Sequence, residues 1–147
     1  MKIILDGMGG DNAPYAIVEG AVLASKEIDH QIYIIGKEDL INEELKKYSY
    51  DEEKIRVIHA EEVISNDDAP VRAVRSKKKS SIVMGINMVK QGEGDIFVSA
   101  GSTGALLAGG LFILGRIHGI DRPALACIYP ILGGVPSLLA DAGANSD

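Results

Sequence analysis

The segment Asp95–Gly110, D-I-F-V-S-A-G-S-T-G-A-L-L-A-G-G, constrains the fold of this chain more than any other stretch. A short apolar run, a turn of small residues and an Ala/Leu/Gly run predict a buried strand at Ile96–Val98, a glycine turn at Ser99–Gly104 and a helix that begins at Ser102 or Thr103. The first amides of such a helix lack internal acceptors, and the helix dipole adds partial positive charge there. The turn is therefore a candidate seat for an anion or phosphate. An ordinary strand-to-helix connection capped by Ser or Thr is the alternative.

A second glycine turn follows the first predicted strand, Lys2–Leu5, which ends at Asp6. The turn G-M-G-G-D-N-A-P spans Gly7–Pro14, and its Asp11 and Asn12 are residue types that cap helices. Helices and strands then alternate along the sequence, with predicted bounds of Tyr15–Glu27 (helix), Gln31–Ile35 (strand), Glu38–Tyr48 (helix) and Lys54–His59 (strand). This alternation predicts a parallel α/β sheet.

A third glycine turn, Asp141–Asn145, follows a predicted last strand, Ser137–Ala140. In parallel α/β sheets ligands bind beyond the carboxyl ends of the strands, so the three turns are expected to line one cleft. No helix follows the third turn, which favours the N-terminal part of a larger protein.

The segment Ala60–Ser81 carries no regular strand signal. Five of the fifteen Lys and Arg residues of the chain fall in eight positions of this segment: Arg72, Arg75, Lys77, Lys78 and Lys79. One interpretation is a mobile loop that receives an anionic substrate or an acidic protein partner. A solvated charged face is the alternative.

Two apolar segments raise the question of what covers them. After a predicted helix at Ser81–Gln91, the run Ala105–Gly115 is apolar all round, which predicts a helix buried on every side by a second domain or a partner subunit. The run Ala124–Ile131 holds the one cysteine, Cys127, and predicts a buried strand in which the thiol acts as a small hydrophobic group.

Composition and missing motifs exclude several function classes. The 147 residues suit a single domain, and a net charge of −6 disfavours nucleic acid as a main partner. A single cysteine excludes an internal disulfide and favours the cytoplasm. The first turn lacks the G-x-G-x-x-G dinucleotide fingerprint, no G-K-[ST] phosphate loop exists, and His30, His59 and His118 are too scattered for a zinc site. A serine nucleophile at Ser99 or Ser102 stays open.

Four motifs in order, L-D-G-M-G-G-D-N-A-P, V-S-A-G-S-T-G-A-L, G-I-D-R-P-A-L and D-A-G-A-N, closely resemble the bacterial phosphate acyltransferase family of phospholipid synthesis (PlsX). The segment H-A-x-x-V-I-x-x-D-D-x-P and the basic K-K-K-S-S run match as well. Departures from the family pattern are Gly7 in place of Ala, Ser102 in place of Asn, the Gly133–Val135 turn in place of a more basic one, and Ser146 after the last motif. Members are about twice this length, so the resemblance implies that the chain is their N-terminal half.

The resemblance implies a three-layer α/β/α fold with a mainly parallel sheet, similar to the isocitrate and isopropylmalate dehydrogenases, in a homodimer. It implies transfer of a fatty acyl group from acyl carrier protein to inorganic phosphate, giving acyl phosphate, with no metal or cofactor. Contact with a membrane, if any, is expected to lie in the absent half. The alternatives are a phosphotransacetylase-like enzyme that uses coenzyme A, a dehydrogenase of the same fold, and a non-catalytic fragment that binds anions.

Carried over residue by residue, the resemblance implies three groups of site residues. Asp6, Ser102 and Asn145 are the catalytic candidates. The phosphate- or substrate-binding candidates are Gly9, Gly10, Asp11, Asn12, Ser99, Gly101, Thr103, Gly104, Arg122 and Asp141. The candidates for docking the carrier protein are Arg72, Arg75, Lys77, Lys78 and Lys79. For Asp6 and Asp11, turn capping is the alternative role.

Overall fold

The computed structural model describes residues 1–120 and 123–140, which fall in two compact units, Met1–Leu114 and Gly115–Asp147. The strands of the first unit are β1 (Lys2–Asp6), β2 (Gln31–Gly36), β3 (Ile55–His59) and β4 (Ile96–Val98). Its helices are α1 (Tyr15–Glu27), α2 (Glu38–Leu45), α3 (Pro70–Ser76), α4 (Ser81–Lys90) and α5 (Thr103–Gly109), the last continued by a π-helical turn, Gly110–Leu114.

The four strands of the first unit form one parallel sheet in the order β3-β2-β1-β4. The chain moves outward from β1 through β2 to β3 and then returns to the other side of β1 with β4. The carboxyl ends of β1 and β4 therefore flank the point at which the direction of winding reverses. In open α/β sheets, this reversal opens a crevice for ligands.

Helices cover both faces of this sheet. Ile34 is buried in a cluster with residues of α1 and α2, among them Val18 and Ile41. The next residue, Ile35, faces the other way and is buried with Ile4, against which residues of α4 pack. The sheet and its two helical layers confirm the predicted three-layer α/β/α class, whereas the resemblance to the dehydrogenases stays a prediction.

The interpretation of residues 60–81 as a loop is wrong, because this segment contains α3. Pro70 occupies the first turn of α3, a position where proline needs no amide partner. Ala73 and Val74 are buried against residues of α4 and α5. The buried side of α3 thus consists of two small apolar side chains. An apolar pattern this short does not identify an amphipathic helix from sequence.

Cover of the helix Ala105–Gly115 by a second domain or a partner subunit stays a prediction. The α-helical part ends at Gly109, and the π-helical turn that follows leaves Phe112 51% exposed and Leu114 49% exposed. None of the described helices is both long and apolar enough to cross a membrane.

The second unit contains a two-stranded antiparallel sheet of β5 (Ala126–Tyr129) and β6 (Ser137–Ala140). The strand predicted at 137–140 is confirmed, and it pairs antiparallel with β5 across the G-G-V-P turn. Cys127 is exposed, which contradicts its predicted burial: every described residue of these two strands is exposed.

Candidate functional site

The two glycine turns predicted as ligand sites meet at the carboxyl ends of β1 and β4. Asp6 is the last residue of β1 and Ser99 comes directly after β4. The Ser99 hydroxyl donates a hydrogen bond to Asp6 Oδ2 at 2.7 Å, and the Gly101 amide donates to Ser99 Oγ at 3.0 Å. The Met8 amide donates to Asp6 Oδ1 at 3.1 Å. A chain of hydrogen bonds thus joins one turn to the other.

This arrangement explains the residue types in the two turns. Asp6 is only 2% exposed, and a carboxylate removed from water needs the donors that Ser99 and Met8 supply. A methyl group at Gly9 would lie 2.5 Å from Asp6 Oδ2 and 2.7 Å from the Gly101 nitrogen, closer than real Cβ atoms come. Glycine at position 9 therefore allows the two turns to touch.

The amides at the start of α5 differ in what they can bind. The Gly101 amide is used within the turn by Ser99. The Ser102 hydroxyl caps α5 by accepting from the Ala105 amide at 3.3 Å. The amides of Ser102, Thr103 and Gly104 have no acceptor among the described residues. An anion at this turn would therefore meet donors that begin at Ser102, one residue later than Gly101.

Gly10, Asp11 and Asn12 lie on the other turn. Gly10 has a φ of +101°, a conformation that favours glycine, and it packs against Ala100. The prediction that Asp11 or Asn12 caps α1 is wrong: the residue before the helix is Pro14, and no side chain caps it. Both polar side chains are exposed at the rim of the site.

Three of the predicted site residues, Arg122, Asp141 and Asn145, lie outside the described residues, and the roles assigned to them stay predictions.

The basic cluster lies on α3 and the segment after it, and each of its three lysines makes a side-chain bond. Lys77 pairs with Asp68 at 2.6 Å. The hydrogen bonds that Asp68 accepts from Lys77 and from the Ser65 amide lower the pKa of Asp68. Lys79 pairs with Glu61 at 2.7 Å, which lowers the pKa of Glu61 and raises that of Lys79. Lys78 donates to the Val74 carbonyl oxygen at 3.2 Å. The two arginines, Arg72 and Arg75, are exposed on α3.

A link between the basic segment and the site was not visible in the sequence. A methyl group at Gly104 would lie 2.7 Å from Pro70 Cγ, so the first turn of α3 sits directly on the glycine turn before α5. The two residues lie 34 positions apart, and a local sequence pattern does not reveal a contact over that separation.

A polar cleft lies at the other end of the sheet, lined by residues at the amino ends of the strands, among them Lys2, Gln31, Lys54 and Asp95. We assign the candidate site to the carboxyl ends instead, because there the topology reverses and glycine turns expose amides. At the amino ends, Asp95 is already used: its carboxylate accepts from the Lys2 amide at 2.6 Å and aligns β4 with β1.

Comparison with known proteins identifies the family of this chain. The model of a family described as "Fatty acid synthesis protein" matches residues 1–147. The chain is 53% identical to a protein of Clostridioides difficile (strain 630), 55% to one of Alkaliphilus oremlandii (strain OhILAs) and 49% to one of Halothermothrix orenii, each named phosphate acyltransferase. The matches cover all of this chain but only 43%, 44% and 44% of those proteins. The chain, which spans less than half the length of these relatives, belongs to the fatty acid synthesis protein family whose curated relatives are named phosphate acyltransferase.

Proposed function

We propose that this chain forms the phosphate-binding part of an enzyme that transfers a fatty acyl group from acyl carrier protein to inorganic phosphate. The observation that carries the proposal is the meeting of two glycine turns at the reversal point of the sheet, held together by Asp6, Ser99 and Gly101. The names of the relatives supply the reaction class.

In the proposed reaction, an oxygen of inorganic phosphate attacks the thioester carbonyl carbon. The new C–O bond forms and the C–S bond breaks, and the carrier protein leaves as a thiolate that takes up a proton to become the free thiol. The products are acyl phosphate and free carrier protein. Because the nucleophile is a small dianion, holding it in line with the carbonyl accounts for much of the expected rate acceleration.

The amides of Ser102, Thr103 and Gly104 are the proposed donors to phosphate. Fixed amide dipoles also stabilise the negative charge that develops on the carbonyl oxygen in the transition state. Ser99 and Asp6 are given a positioning role, because both of their hydrogen bonds are made within the chain and hold the turns in place. Asp11 and Asn12, exposed at the rim, are proposed contacts for the acyl donor.

The test uses a fusion in which this chain replaces the matching 44% of the Alkaliphilus protein. Purified fusion is given palmitoyl carrier protein and inorganic phosphate, and acyl phosphate is trapped with hydroxylamine as the hydroxamate. We expect hydroxamate that depends on phosphate. Ser102→Ala keeps the backbone amides and removes only the cap, so we expect a loss of about tenfold or less in kcat/KM.

Replacing the donor separates the alternatives. Palmitoyl-coenzyme A as the better substrate would favour the phosphotransacetylase-like enzyme. Phosphate binding without turnover of either thioester would leave an anion-binding chain. Binding of a nicotinamide nucleotide would support a dehydrogenase instead.

A further inference from the structure

The exposed face of α3 combines an apolar groove with two arginines, and we refer to Val71, Arg72, Arg75 and Phe112 as the α3 surface. The groove is lined by Ala69, Pro70, Val71, Arg72, Arg75 and Ser76. Val71 is 44% exposed, and the Arg75 guanidinium lies 5.3 Å from the centre of the Phe112 ring. The opposite face of α3 is buried, so the helix presents this surface in a fixed orientation.

Two of the three positive charges of the basic cluster that lack an acidic partner in the described part of the chain lie on this surface, and the third is that of Lys78, which bonds only a carbonyl oxygen. Lys77 and Lys79 are matched by Asp68 and Glu61, so these pairs add little net charge. The Arg72 guanidinium has no partner among the described residues, and Arg75 contacts an uncharged ring. Residues three apart share one side of a helix, so both guanidinium groups flank the same groove. Arginine is also the residue that binds carboxylates in a two-pronged geometry.

The α3 surface begins where the candidate site ends. Pro70, which lines the groove, contacts Gly104, and the Gly104 amide is one of the three proposed to bind phosphate. A protein seated on α3 would therefore hold a flexible thioester arm within reach of that turn. A membrane surface would not need this proximity to the site.

We propose that Arg72 and Arg75, and not the ion-paired Lys77 and Lys79, bind the carrier protein through carboxylates on its acidic surface, with Val71 and Phe112 in apolar contact beside them. The inference rests on the proposed function, which names the carrier protein as donor. It divides the basic cluster in two: the arginines recognise the partner, and Lys77 and Lys79 brace the segment before and after α3.

The experiment measures KM for palmitoyl carrier protein and KM for phosphate in the fusion protein, comparing Arg72→Glu/Arg75→Glu with the matched variant Arg56→Glu. Arg56 is an exposed arginine on β3, at the far edge of the sheet. We expect the double variant to raise KM for the carrier protein at least about tenfold. KM for phosphate should stay within about twofold, and Arg56→Glu should leave both constants unchanged. Added salt should raise KM for the carrier protein in the parent more than in the double variant.

A KM for the carrier protein that is unchanged in the double variant would overturn the inference while the proposed function stands. A larger rise in KM for the carrier protein in Lys77→Ala/Lys79→Ala than in the arginine variant would overturn it as well.

If the parent makes no acyl phosphate, the proposed function fails. Calorimetric binding of carrier protein to the 147-residue chain and to its double variant then decides the inference. Equal binding by the two chains contradicts it. Arginine-dependent binding to phosphatidylglycerol vesicles, with no binding of carrier protein, would assign the surface to a membrane. Circular dichroism melting curves check that each variant is folded.

Discussion

At the scale of single residues, the candidate site depends on a short hydrogen-bond chain through a buried carboxylate. Asp6 accepts from Ser99 and Met8, and Ser99 in turn accepts from Gly101. Each of these groups donates to or accepts from another in the chain. A substitution that removes one group therefore leaves its hydrogen-bond partner unsatisfied where water has little access, which lowers stability.

Ser99→Ala removes both a donor to Asp6 and the acceptor of the Gly101 amide. We expect a loss of about 1–3 kcal/mol in the free energy of unfolding, measured with urea on the 147-residue chain. Ser76→Ala is the matched control, because the Ser76 hydroxyl also donates one bond but is exposed. The control should change stability by no more than about 0.5 kcal/mol. Equal effects in the two variants would mean that the bond between the turns contributes nothing.

Gly9→Ala places a methyl group against Asp6, Ser99 and the Gly101 nitrogen, all within 2.9 Å. These neighbours are backbone or short side chains, so the turns must separate, and we expect destabilisation of about 1–3 kcal/mol. Gly20→Ala is the control, since nothing lies within 4 Å of a methyl group there and alanine favours the helix by about 1 kcal/mol. A Gly9→Ala chain as stable as the parent would contradict the close approach of the turns.

At the scale of elements, α3 is the part whose position the sequence did not reveal. Its buried side holds only Ala73 and Val74, and the segment before it is braced by Lys77, which bonds Asp68 and the Val63 carbonyl oxygen at 2.9 Å. Because the first turn of α3 rests on Gly104, this bracing also fixes one wall of the candidate site.

The brace at Asp68 should weaken in acid. The bonds from Lys77 and Ser65 lower the pKa of Asp68, so their stabilising effect is present above the ordinary pKa of aspartate and is lost as the pH falls through the lowered value. We expect Lys77→Met to be less stable than the parent at about pH 6, and the difference to shrink towards about pH 2. Urea unfolding of both chains at the two pH values checks this. A difference that is constant with pH would contradict a charge-dependent brace.

The sequence predicted most of the elements because their apolar patterns are local. The run I-I-L before Asp6 and the run I-Y-I-I before Gly36 identify buried parallel strands, and the two glycine turns lie where they were expected. What the sequence could not show depends on contacts between distant residues. The Ser99–Asp6 bond and the Pro70–Gly104 contact carry no local signature, and the exposure of Phe112 depends on where the helix changes to a π-helical turn. The catalytic roles stay predictions.

At the scale of the whole molecule, no described residue covers one face of the edge strand β4, on which Ile96 and Val98 are exposed. Phe97 packs against α4, so its neighbours Ile96 and Val98 face the other way, beside Ile3 and Leu5 on β1. Exposed apolar patches of this kind promote association between chains.

Ile96→Lys should therefore reduce self-association of the 147-residue chain, measured by sedimentation velocity, at little cost in stability. Leu40→Lys is the matched control, because both side chains are 43% exposed and Leu40 lies on α2, away from β4. An equal effect of the two substitutions would show that charge alone, and not this sheet face, governs association.

The most direct test of the candidate site is a titration of the 15N-labelled chain with inorganic phosphate, followed by amide NMR shifts and repeated with chloride at equal ionic strength. We expect phosphate-specific shifts at Ser102, Thr103 and Gly104 and in the facing turn around Gly10. The amides at the other end of the sheet, Gly92–Asp95, should not move. Shifts that concentrate at Gly92–Asp95, or no phosphate-specific shift in the two glycine turns, would contradict the assignment of the phosphate seat.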